Sequence, residues 1–175
     1  MNEEVKKFIK SGKKFKTFEY HGKYKNAITD FLHWGDIFLP LRYCLFLLVR
    51  VFPIPPFYRW IYRLFGVKIG KNTFFGPDVV IDHSYQQLIE IGDNCILGWG
   101  ARILTHEGYL KHFRIGRVKI GNNVIIGAFS TIRCGITIGD NVIIANCAGV
   151  YKDVSPNKLV AGIPAHEIKN LKKLF

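Results

Sequence analysis

The chain has 175 residues, of which 49% are hydrophobic and 14% aromatic, and it carries a formal net charge of +12. This length fits one domain with a substantial core and a small N-terminal appendage, and the aromatic content argues against extended disorder. The charge predicts an anionic partner: nucleic acid, a membrane or a phosphorylated small molecule. Nucleic acid is disfavoured because no helix-turn-helix, zinc-finger or RNP-like motif is present.

The four cysteines show no CxxC spacing, which predicts free thiols and a reduced, cytoplasmic setting. They are Cys44, Cys95, Cys134 and Cys147. The first residues, MNEEVKKFIKSGKK, contain no apolar segment of the kind that a secretory signal requires. We therefore expect no such signal at this end of the chain.

The first 25 residues form a basic segment with eight lysines and three glutamates. Phenylalanines at positions 8, 15 and 18 interrupt the charges. This composition favours a solvated, frayed arm over a dedicated binding element.

Residues 27–65 are mainly aromatic and aliphatic, and three prolines divide them into two short helices. Four arginines interrupt the apolar sequence, so no uncharged run reaches the roughly 18 to 20 residues of a membrane span. The helices either pack on the rest of the chain or lie at a membrane surface with arginines at the headgroups. We favour packing and keep peripheral contact with the inner face of the membrane as an alternative. The residues concerned are Pro53, Pro55, Pro56, Arg42, Arg50, Arg59 and Arg63.

From residue 69 onward a large apolar residue recurs at every sixth position. Neither the helical period of 3.6 nor strand alternation gives this spacing, which is a signature of parallel β-helix repeats. Three successive hexapeptides are expected to form one triangular coil of about eighteen residues. Four additional residues before Ile91 and an eleven-residue loop, 109–119, interrupt the series. The apolar positions are Ile69, Phe75, Ile81, Ile91, Leu97, Ile103, Ile120, Ile126, Ile132, Ile138, Ile144 and Val150.

The residues between the apolar positions support the same coil. Gly-Asn-Asn and Gly-Asp-Asn sequences tolerate positive φ and allow the chain to turn after each short strand. The second inward position of each hexapeptide is small or aliphatic, except at Glu107. Pro156 ends the last repeat, and residues 165–175 predict a short basic helix that caps the open end of the coil.

Three short segments beside the repeats carry a resemblance that covers about residues 69 to 170. They are Ile103-Leu-Thr-His-Glu-Gly108, Tyr151-Lys-Asp-Val-Ser-Pro-Asn157 and Ala161-Gly-Ile-Pro-Ala165. With them, the chain resembles the hexapeptide-repeat acyltransferases, in particular the galactoside, maltose and other sugar O-acetyltransferases. The resemblance implies a mainly β fold, a left-handed parallel β-helix, at residues 67–160. Residues 1–66 would then be the basic arm and amphipathic helices, and 161–175 the C-terminal tail and helix.

The resemblance implies that His106 is the general base. An alcohol has a pKa far above 7, so its attack on a thioester needs a base that removes the proton as the new bond forms. An imidazole, with an ordinary pKa near 6.5, can accept that proton at neutral pH and return it to the leaving thiolate. His112, in the 109–119 loop, is a weaker candidate because nothing in the sequence fixes its orientation.

Coil stacking predicts the residues that surround His106. A step of eighteen, counted without the four and the eleven inserted residues, places Ser84, His106, Gly135 and Asp153 in one column, and Gly135 is expected to leave a hollow beside the imidazole. We assign acceptor binding to Asp82, His83 and Ser84. Ser84 replaces an acidic residue of the galactoside enzymes, and Gly76 replaces an asparagine. These departures argue against a simple galactoside substrate.

The resemblance also places the acetyl-CoA cosubstrate in the groove between neighbouring subunits of a homotrimer. Its pantetheine arm would lie near Ala128, Asn146, Tyr151 and Lys152. Its phosphates would lie near His166 and Lys169, because cations attract phosphate charge.

The leading interpretation is an acetyl-CoA-dependent O-acetyltransferase that acts on a sugar or cell-surface polysaccharide precursor, including one carried on a lipid diphosphate. Transfer to the nitrogen of an amino sugar or amino acid stays open, as does a longer acyl group. A γ-type carbonic anhydrase would need histidine ligands to a metal ion, for which His83, His106 and His112 are the candidates. Their spacing is not that of a zinc site, and no residues that would orient these ligands can be recognised in the sequence. A non-catalytic hexapeptide scaffold is the remaining alternative.

Overall fold

A computed structural model describes residues 3–19, 39–51, 54 and 57–171. The described residues of the N-terminal third form three α-helices and the first strand: α1 Glu3–Lys10, β1 Phe15–Glu19, α2 Leu39–Val51 and α3 Phe57–Leu64. The strands of the first two coils are β2 Lys68–Ile69, β3 Phe74–Phe75, β4 Val80–Ile81, β5 Ile89–Ile91, β6 Ile96–Leu97 and β7 Arg102–Ile103. A 3₁₀ turn, Gln86–Leu88, lies in the first insertion.

The second insertion and the later coils supply the other strands. The insertion forms β8 His106–Gly108 and β9 His112–Gly116, and β10 Val118–Ile120 returns to the coil. The remaining strands are β11 Ile125–Ile126, β12 Thr131–Ile132, β13 Thr137–Ile138, β14 Ile143–Ile144, β15 Gly149–Val150, β16 Lys158–Ala161 and β17 His166–Asn170.

Three parallel sheets form the sides of a triangular coil. Sheet I contains β2, β5, β10 and β13; sheet II contains β3, β6, β11, β14 and β16; sheet III contains β4, β7, β12 and β15. Each predicted apolar residue stacks on its equivalent in the next coil, as Ile103 does between Ile81 and Ile132. The predicted parallel β-helix and its register are therefore confirmed.

An asparagine ladder shows how the coil tolerates insertions. Five asparagines occupy one corner in consecutive coils, at sequence separations of 22, 29, 18 and 16 residues. Each has a φ between 53° and 61°, a left-handed conformation that asparagine adopts more readily than most residues. Their side-chain amides are joined by hydrogen bonds of 2.9 to 3.2 Å. The additional residues leave elsewhere, so the stacking of the apolar positions is preserved. The ladder consists of Asn72, Asn94, Asn123, Asn141 and Asn157.

Helices α2 and α3 cover the N-terminal end of the coil. Phe46, Tyr58 and Ile61 are buried in the same core as the stacked isoleucines. The Tyr58 hydroxyl donates a hydrogen bond of 3.1 Å to the carbonyl oxygen of Thr73, which ties α3 to the first coil. The prediction that these helices pack on the coil is confirmed for the described residues. The parts of the prediction that concern residues 27–38 and the prolines between the helices, at 53, 55 and 56, lie outside the described residues.

The prediction of a solvated N-terminal arm is wrong for residues 3–19. Val5, Phe8 and Phe18 are buried, and β1 pairs antiparallel with β9 along five residues. Lysines alternate with apolar side chains here, so one side of the segment packs while the charges stay in water. Residues 20–25 of the predicted arm lie outside the described part of the chain.

The predicted C-terminal helix is also wrong. Residues 166–170 form β17, which pairs antiparallel with β16 at the edge of sheet II. Without β17, the last strand of that sheet would leave its backbone N–H and C=O groups unpaired. Pairing with β17 gives these groups partners, which a helix beside the edge would not do. Residues 172–175 lie outside the described region.

The four cysteines are free thiols. Cys95 and Cys134 are fully buried, whereas Cys44 and Cys147 are exposed. Burial raises the pKa of Cys134 to about 12, which keeps this thiol protonated and unreactive at neutral pH. Over the described residues, none of the helices has the length and apolar character needed to cross a bilayer.

Candidate active site

His106 begins a small antiparallel sheet that projects from the second coil. The chain leaves sheet III after β7, forms the β8–β9 hairpin and returns to sheet I through β10. Strand β1 adds the third strand, in the order β1, β9, β8. Most of the predicted 109–119 loop is therefore ordered strand, and the N-terminal segment is part of the same structure.

The imidazole of His106 is held by a buried carboxylate from the preceding coil. Its Nδ1 lies 2.7 Å from Oδ2 of Asp82, whose side chain is only 3% exposed. The same carboxylate accepts hydrogen bonds from the backbone N–H of Ser84, at 2.9 Å, and of Thr105, at 2.8 Å. Burial favours the neutral acid, but His106 and the two N–H groups outweigh this and hold the pKa of Asp82 below its ordinary value.

This pairing fixes the tautomer of His106. An ionised Asp82 can only accept, so Nδ1 carries the proton and Nε2 presents a lone pair. No hydrogen bond to Nε2 comes from the described residues. The His106 side chain is 23% exposed, so part of the imidazole is open to solvent. The arrangement suits a general base.

A second, smaller hydrophobic cluster supports the imidazole ring. Phe113 stacks against it with ring centroids 5.6 Å apart, and Tyr85 approaches edge-on at 5.8 Å. Sequence reasoning did not identify this cluster, because its members come from α1, β1, the first insertion and the hairpin. Only pairing of these segments brings them together. The cluster consists of Val5, Phe8, Phe18, Tyr85, Leu88, Phe113 and Ile115.

Glu107, the residue that breaks the repeat pattern, forms an ion pair on the sheet III side of the hairpin. Its two carboxylate oxygens accept hydrogen bonds from Arg133, at 2.5 and 2.7 Å, and the Tyr109 hydroxyl donates another at 2.9 Å. Burial raises the pKa of Glu107, but the bonds from Arg133 and Tyr109 outweigh it and lower the pKa overall. The guanidinium carbon of Arg133 also lies 5.9 Å from the ring centre of Tyr151. A polar residue at an inward position was the sequence signal for this pair.

The three predicted acceptor residues occupy different environments. Asp82 is buried against His106, so its position does not fit direct contact with an acceptor. His83 is half-buried, with its ring 4.9 Å from Phe46 and 5.2 Å from Tyr43, both on α2. Ser84 is half-buried, and its backbone N–H is bound to Asp82. Of the three side chains, Ser84 therefore stays available for an acceptor.

The predicted hollow at Gly135 is wrong. A Cβ atom built on Gly135 would lie 3.1 Å from Cβ of Phe15, so β1 occupies that space. Gly116 of β9 also approaches Gly135 closely, since a Cβ on Gly116 would meet its Cα at 2.5 Å. Asp153, the last member of the predicted column, forms an ion pair with Lys14. The open side of the imidazole must therefore lie away from Gly135.

The predicted pantetheine residues lie at two different corners of one coil. Ala128 and Asn146 follow sheet II, and the Ala128 N–H donates a hydrogen bond of 2.9 Å to the Asn146 side chain. Tyr151 and Lys152 are exposed and follow sheet III, as His106 does. A single protomer therefore does not place all four predicted pantetheine-binding residues around His106.

The predicted phosphate-binding residues, His166 and Lys169, are exposed on β17. They lie on a strand and not on the helix that was predicted. Their nearest acidic neighbour along the strand is Glu167, which forms an ion pair with Lys158 at 2.7 Å. Both basic side chains are therefore accessible to an anionic ligand.

Within the described part of the chain, no three His, Cys, Asp or Glu side chains come close enough together to hold a metal ion. The three histidines considered for a carbonic anhydrase have different surroundings. His83 packs on α2, His106 pairs with Asp82, and His112 is exposed on β9 opposite Glu19.

Two family models match the coil. The model described as bacterial transferase hexapeptide (six repeats) matches residues 117–152. The model described as hexapeptide repeat of succinyl-transferase matches residues 66–104.

Two curated relatives extend the match beyond the repeats. The candidate acetyltransferase YvoF of Bacillus subtilis (strain 168) is 37% identical over 123 residues, which cover 68% of this chain and 72% of YvoF. The galactoside O-acetyltransferase of Escherichia coli (strain K12) is 32% identical over 114 residues, which cover 61% of this chain and 55% of that enzyme.

Solved structures share the fold. A hexapeptide-repeat acetyltransferase of Vibrio cholerae O1 biovar eltor, complexed with acetyl-CoA, superposes with a TM-score of 0.64 at 23% identity, covering 81% of this chain and 93% of the other. A maltose O-acetyltransferase of Clostridium difficile 630 superposes with a TM-score of 0.57 at 27% identity, covering 79% and 91%. The fold is thus the left-handed parallel β-helix that the sequence resemblance implied.

Proposed function

Because this chain belongs to the family of hexapeptide-repeat acetyltransferases, we propose that it transfers an acetyl group from acetyl-CoA to a hydroxyl group of a sugar or cell-surface polysaccharide precursor. The observation that carries this proposal is the buried Asp82 paired with Nδ1 of His106. It leaves Nε2 with a lone pair beside an open surface.

In the proposed reaction, Nε2 of His106 removes the proton of the acceptor hydroxyl as its oxygen attacks the thioester carbonyl of acetyl-CoA. The tetrahedral intermediate then collapses, the carbon–sulfur bond breaks, and the imidazolium returns the proton to the CoA thiolate. The negative charge of Asp82 stabilises the imidazolium between the two steps. The stacked ring of Phe113 limits rotation of the imidazole, so Nε2 stays directed at the acceptor.

Exposed cations support the assignment of acetyl-CoA as the donor. Lys152, His166 and Lys169 are all exposed, and among the residues that the structure describes none of them forms an ion pair with a carboxylate that would compete with a phosphate. A solved structural neighbour is described as a complex with acetyl-CoA. The tail at β16–β17 would bind the phosphates and the coil corner with Ala128 would contact the pantetheine arm.

A sugar acceptor is supported by the relatives, of which one is a galactoside and one a maltose O-acetyltransferase. Ser84 would contact the acceptor hydroxyl from the side of the first insertion. Because Asp82 is hydrogen-bonded to His106, we propose that it positions the imidazole and does not bind the acceptor. The protein would act in the cytoplasm, including on acceptors carried on lipid at the inner face of the membrane.

We propose a homotrimer, because one of the three sheets has an apolar outer surface. The outward residues of sheet II are all apolar, whereas those of sheet I are Lys68, Glu90, Lys119 and Thr137. Such a row of apolar side chains on one face indicates burial against another protein surface. A neighbouring protomer would also bring its own Ala128 corner toward His106, which one chain alone does not do. The apolar row consists of Phe74, Ile96, Ile125, Ile143 and Leu159.

We expect Ile96→Glu to dissociate the trimer and to abolish activity, because a charge would be buried in the interface without a partner. Ile96 is about half exposed in the protomer, so the folded chain should tolerate the change. Light scattering after size exclusion should give the 20.1 kDa of one chain instead of three times that mass. The control is Thr137→Glu, an outward position of sheet I where Lys119 offers a counter-charge. Equal masses for wild type and Ile96→Glu would contradict this interface.

The function itself is tested by following release of the CoA thiol from acetyl-CoA with a panel of sugars, amino sugars and amino acids. We expect release that depends on a hydroxyl-bearing saccharide, with the product heavier by one acetyl group in mass spectrometry. Release that occurs only with amines would replace O-transfer by N-transfer. The absence of acceptor-dependent release for the whole panel, polysaccharide precursors included, would count against a saccharide acceptor.

A further inference from the structure

The outer sides of α2 and α3 form an apolar surface that the described chain does not cover. Trp60 and Leu64 of α3 are 62% and 63% exposed. Helix α2 is apolar on both sides, since Phe46 and Val49 face the core while leucines face outward. Apart from Arg42 and Arg50 its residues are mainly apolar, and apolar helix faces are normally buried. We define the α2/α3 surface as Leu41, Leu47, Leu48, Ile54, Phe57, Trp60 and Leu64.

The charge around this surface is mainly positive, and its acidic neighbour Asp78 is paired with Arg50 of α2. From residue 39 to residue 77 the sequence contains six basic residues and no acidic one. Arg59, Arg63 and Lys71 line an open groove of about 780 Å³ together with Phe57 and Trp60. The exposed apolar side chains and the basic side chains therefore share one side of the protein.

We propose that the α2/α3 surface binds the surface of a membrane that contains anionic lipids. Apolar side chains would enter the boundary between headgroups and acyl chains, and Trp60 suits this depth because its ring is amphipathic. Arg59, Arg63 and Lys71 would contact the lipid phosphates, and their aliphatic stems would lie along the apolar side chains. Each such cation contributes about 1 kcal/mol near an anionic membrane, which corresponds to about fivefold in affinity.

Two other occupants are less well supported by the charges. A second copy of this surface would place the arginines of both copies together, and like charges repel. An acidic protein partner would satisfy the cations but not the broad apolar area between them. A lipid surface satisfies both, which makes it the better match. This inference concerns binding alone and does not depend on the proposed acetyl transfer.

The test is flotation of the full-length protein with vesicles of phosphatidylcholine containing 30% phosphatidylglycerol, compared with phosphatidylcholine alone. We expect recovery with the anionic vesicles, reduced by high salt, and little with the neutral ones. Trp60→Gln combined with Leu64→Gln should weaken binding by about tenfold or more, because two apolar side chains no longer enter the bilayer. Lys71→Gln should weaken it by about fivefold.

Matched controls make the same changes elsewhere. Leu110→Gln combined with Ile168→Gln removes two exposed apolar side chains outside the α2/α3 surface, and Lys111→Gln removes an exposed charge. Both should float like the wild type. Equal flotation of the Trp60/Leu64 variant would overturn the proposal, as would equal recovery with neutral vesicles. Failure of the wild type to float with the anionic vesicles would also overturn it. If the Trp60/Leu64 variant then lost thermal stability or changed its mass, another part of the chain or a second copy would cover the surface instead.

Discussion

Replacing His106 by alanine should lower kcat for acetyl transfer by roughly 10² to 10⁴, the range expected when a general base is lost. The imidazole contacts Asp82, Tyr85 and Phe113, but it is not part of the coil core, so the variant should remain folded and keep the mass of the wild type in solution. KM for acetyl-CoA should change little because no proposed donor contact is removed. Steady-state kinetics with the thiol assay and circular dichroism together measure these effects.

His112→Ala is the matched control because it makes the same change on the same hairpin. His112 is exposed, and its backbone carbonyl accepts a hydrogen bond from Tyr109, which alanine preserves. Its activity should stay close to that of the wild type. If His106→Ala kept full activity, the imidazole would play no part in proton transfer. If His112→Ala alone lost activity, the base would have to be sought on β9.

The coil could be predicted from sequence because its repeat is local. Each hexapeptide carries its own inward residues and its own turn, so the stacking of Ile103 between Ile81 and Ile132 follows from counting alone. Insertions did not disturb this counting, since the chain returns to the same register after each of them. The asparagine corner was visible for the same reason.

The surroundings of His106 could be predicted only in part. The position of His106 beside an insertion was readable, and so was the closeness of Asp82. The hydrophobic cluster behind the imidazole was not, because it depends on the pairing of β1 with β9, almost a hundred residues away in sequence. No periodicity connects those segments. The tail was mispredicted for a related reason: the open edge of sheet II decided its conformation more strongly than its own sequence.

Asp82→Asn should lower kcat by about 10² or more although it removes no group that contacts a substrate. The Asn amide nitrogen can donate to Nδ1 of His106, which moves the ring proton to Nε2 and removes the lone pair that would accept the acceptor's proton. KM for both substrates should change less than kcat. Nitrogen NMR of the imidazole should show the proton on Nδ1 in the wild type and on Nε2 in the variant.

The same substitution should also reduce stability in a pH-dependent way. Asparagine has one acceptor oxygen where Asp82 has two, so it cannot satisfy Ser84, Thr105 and His106 as the carboxylate does. A buried N–H left without an acceptor costs about 1 to 3 kcal/mol. Because the pKa of Asp82 is lower in the folded chain than in the unfolded one, its contribution is complete above about pH 4 and is lost as the pH falls through the folded value.

Denaturant unfolding of wild type and variant between pH 3 and pH 7 separates the two effects. The difference in unfolding free energy should be largest near neutral pH and should shrink on acidification, because a protonated Asp82 resembles the amide. The loss of kcat, measured well below the denaturant midpoint, should exceed any loss of folded protein. A variant with the wild-type tautomer and a normal kcat but reduced stability would show that Asp82 supports the fold alone, and the positioning role would then be wrong.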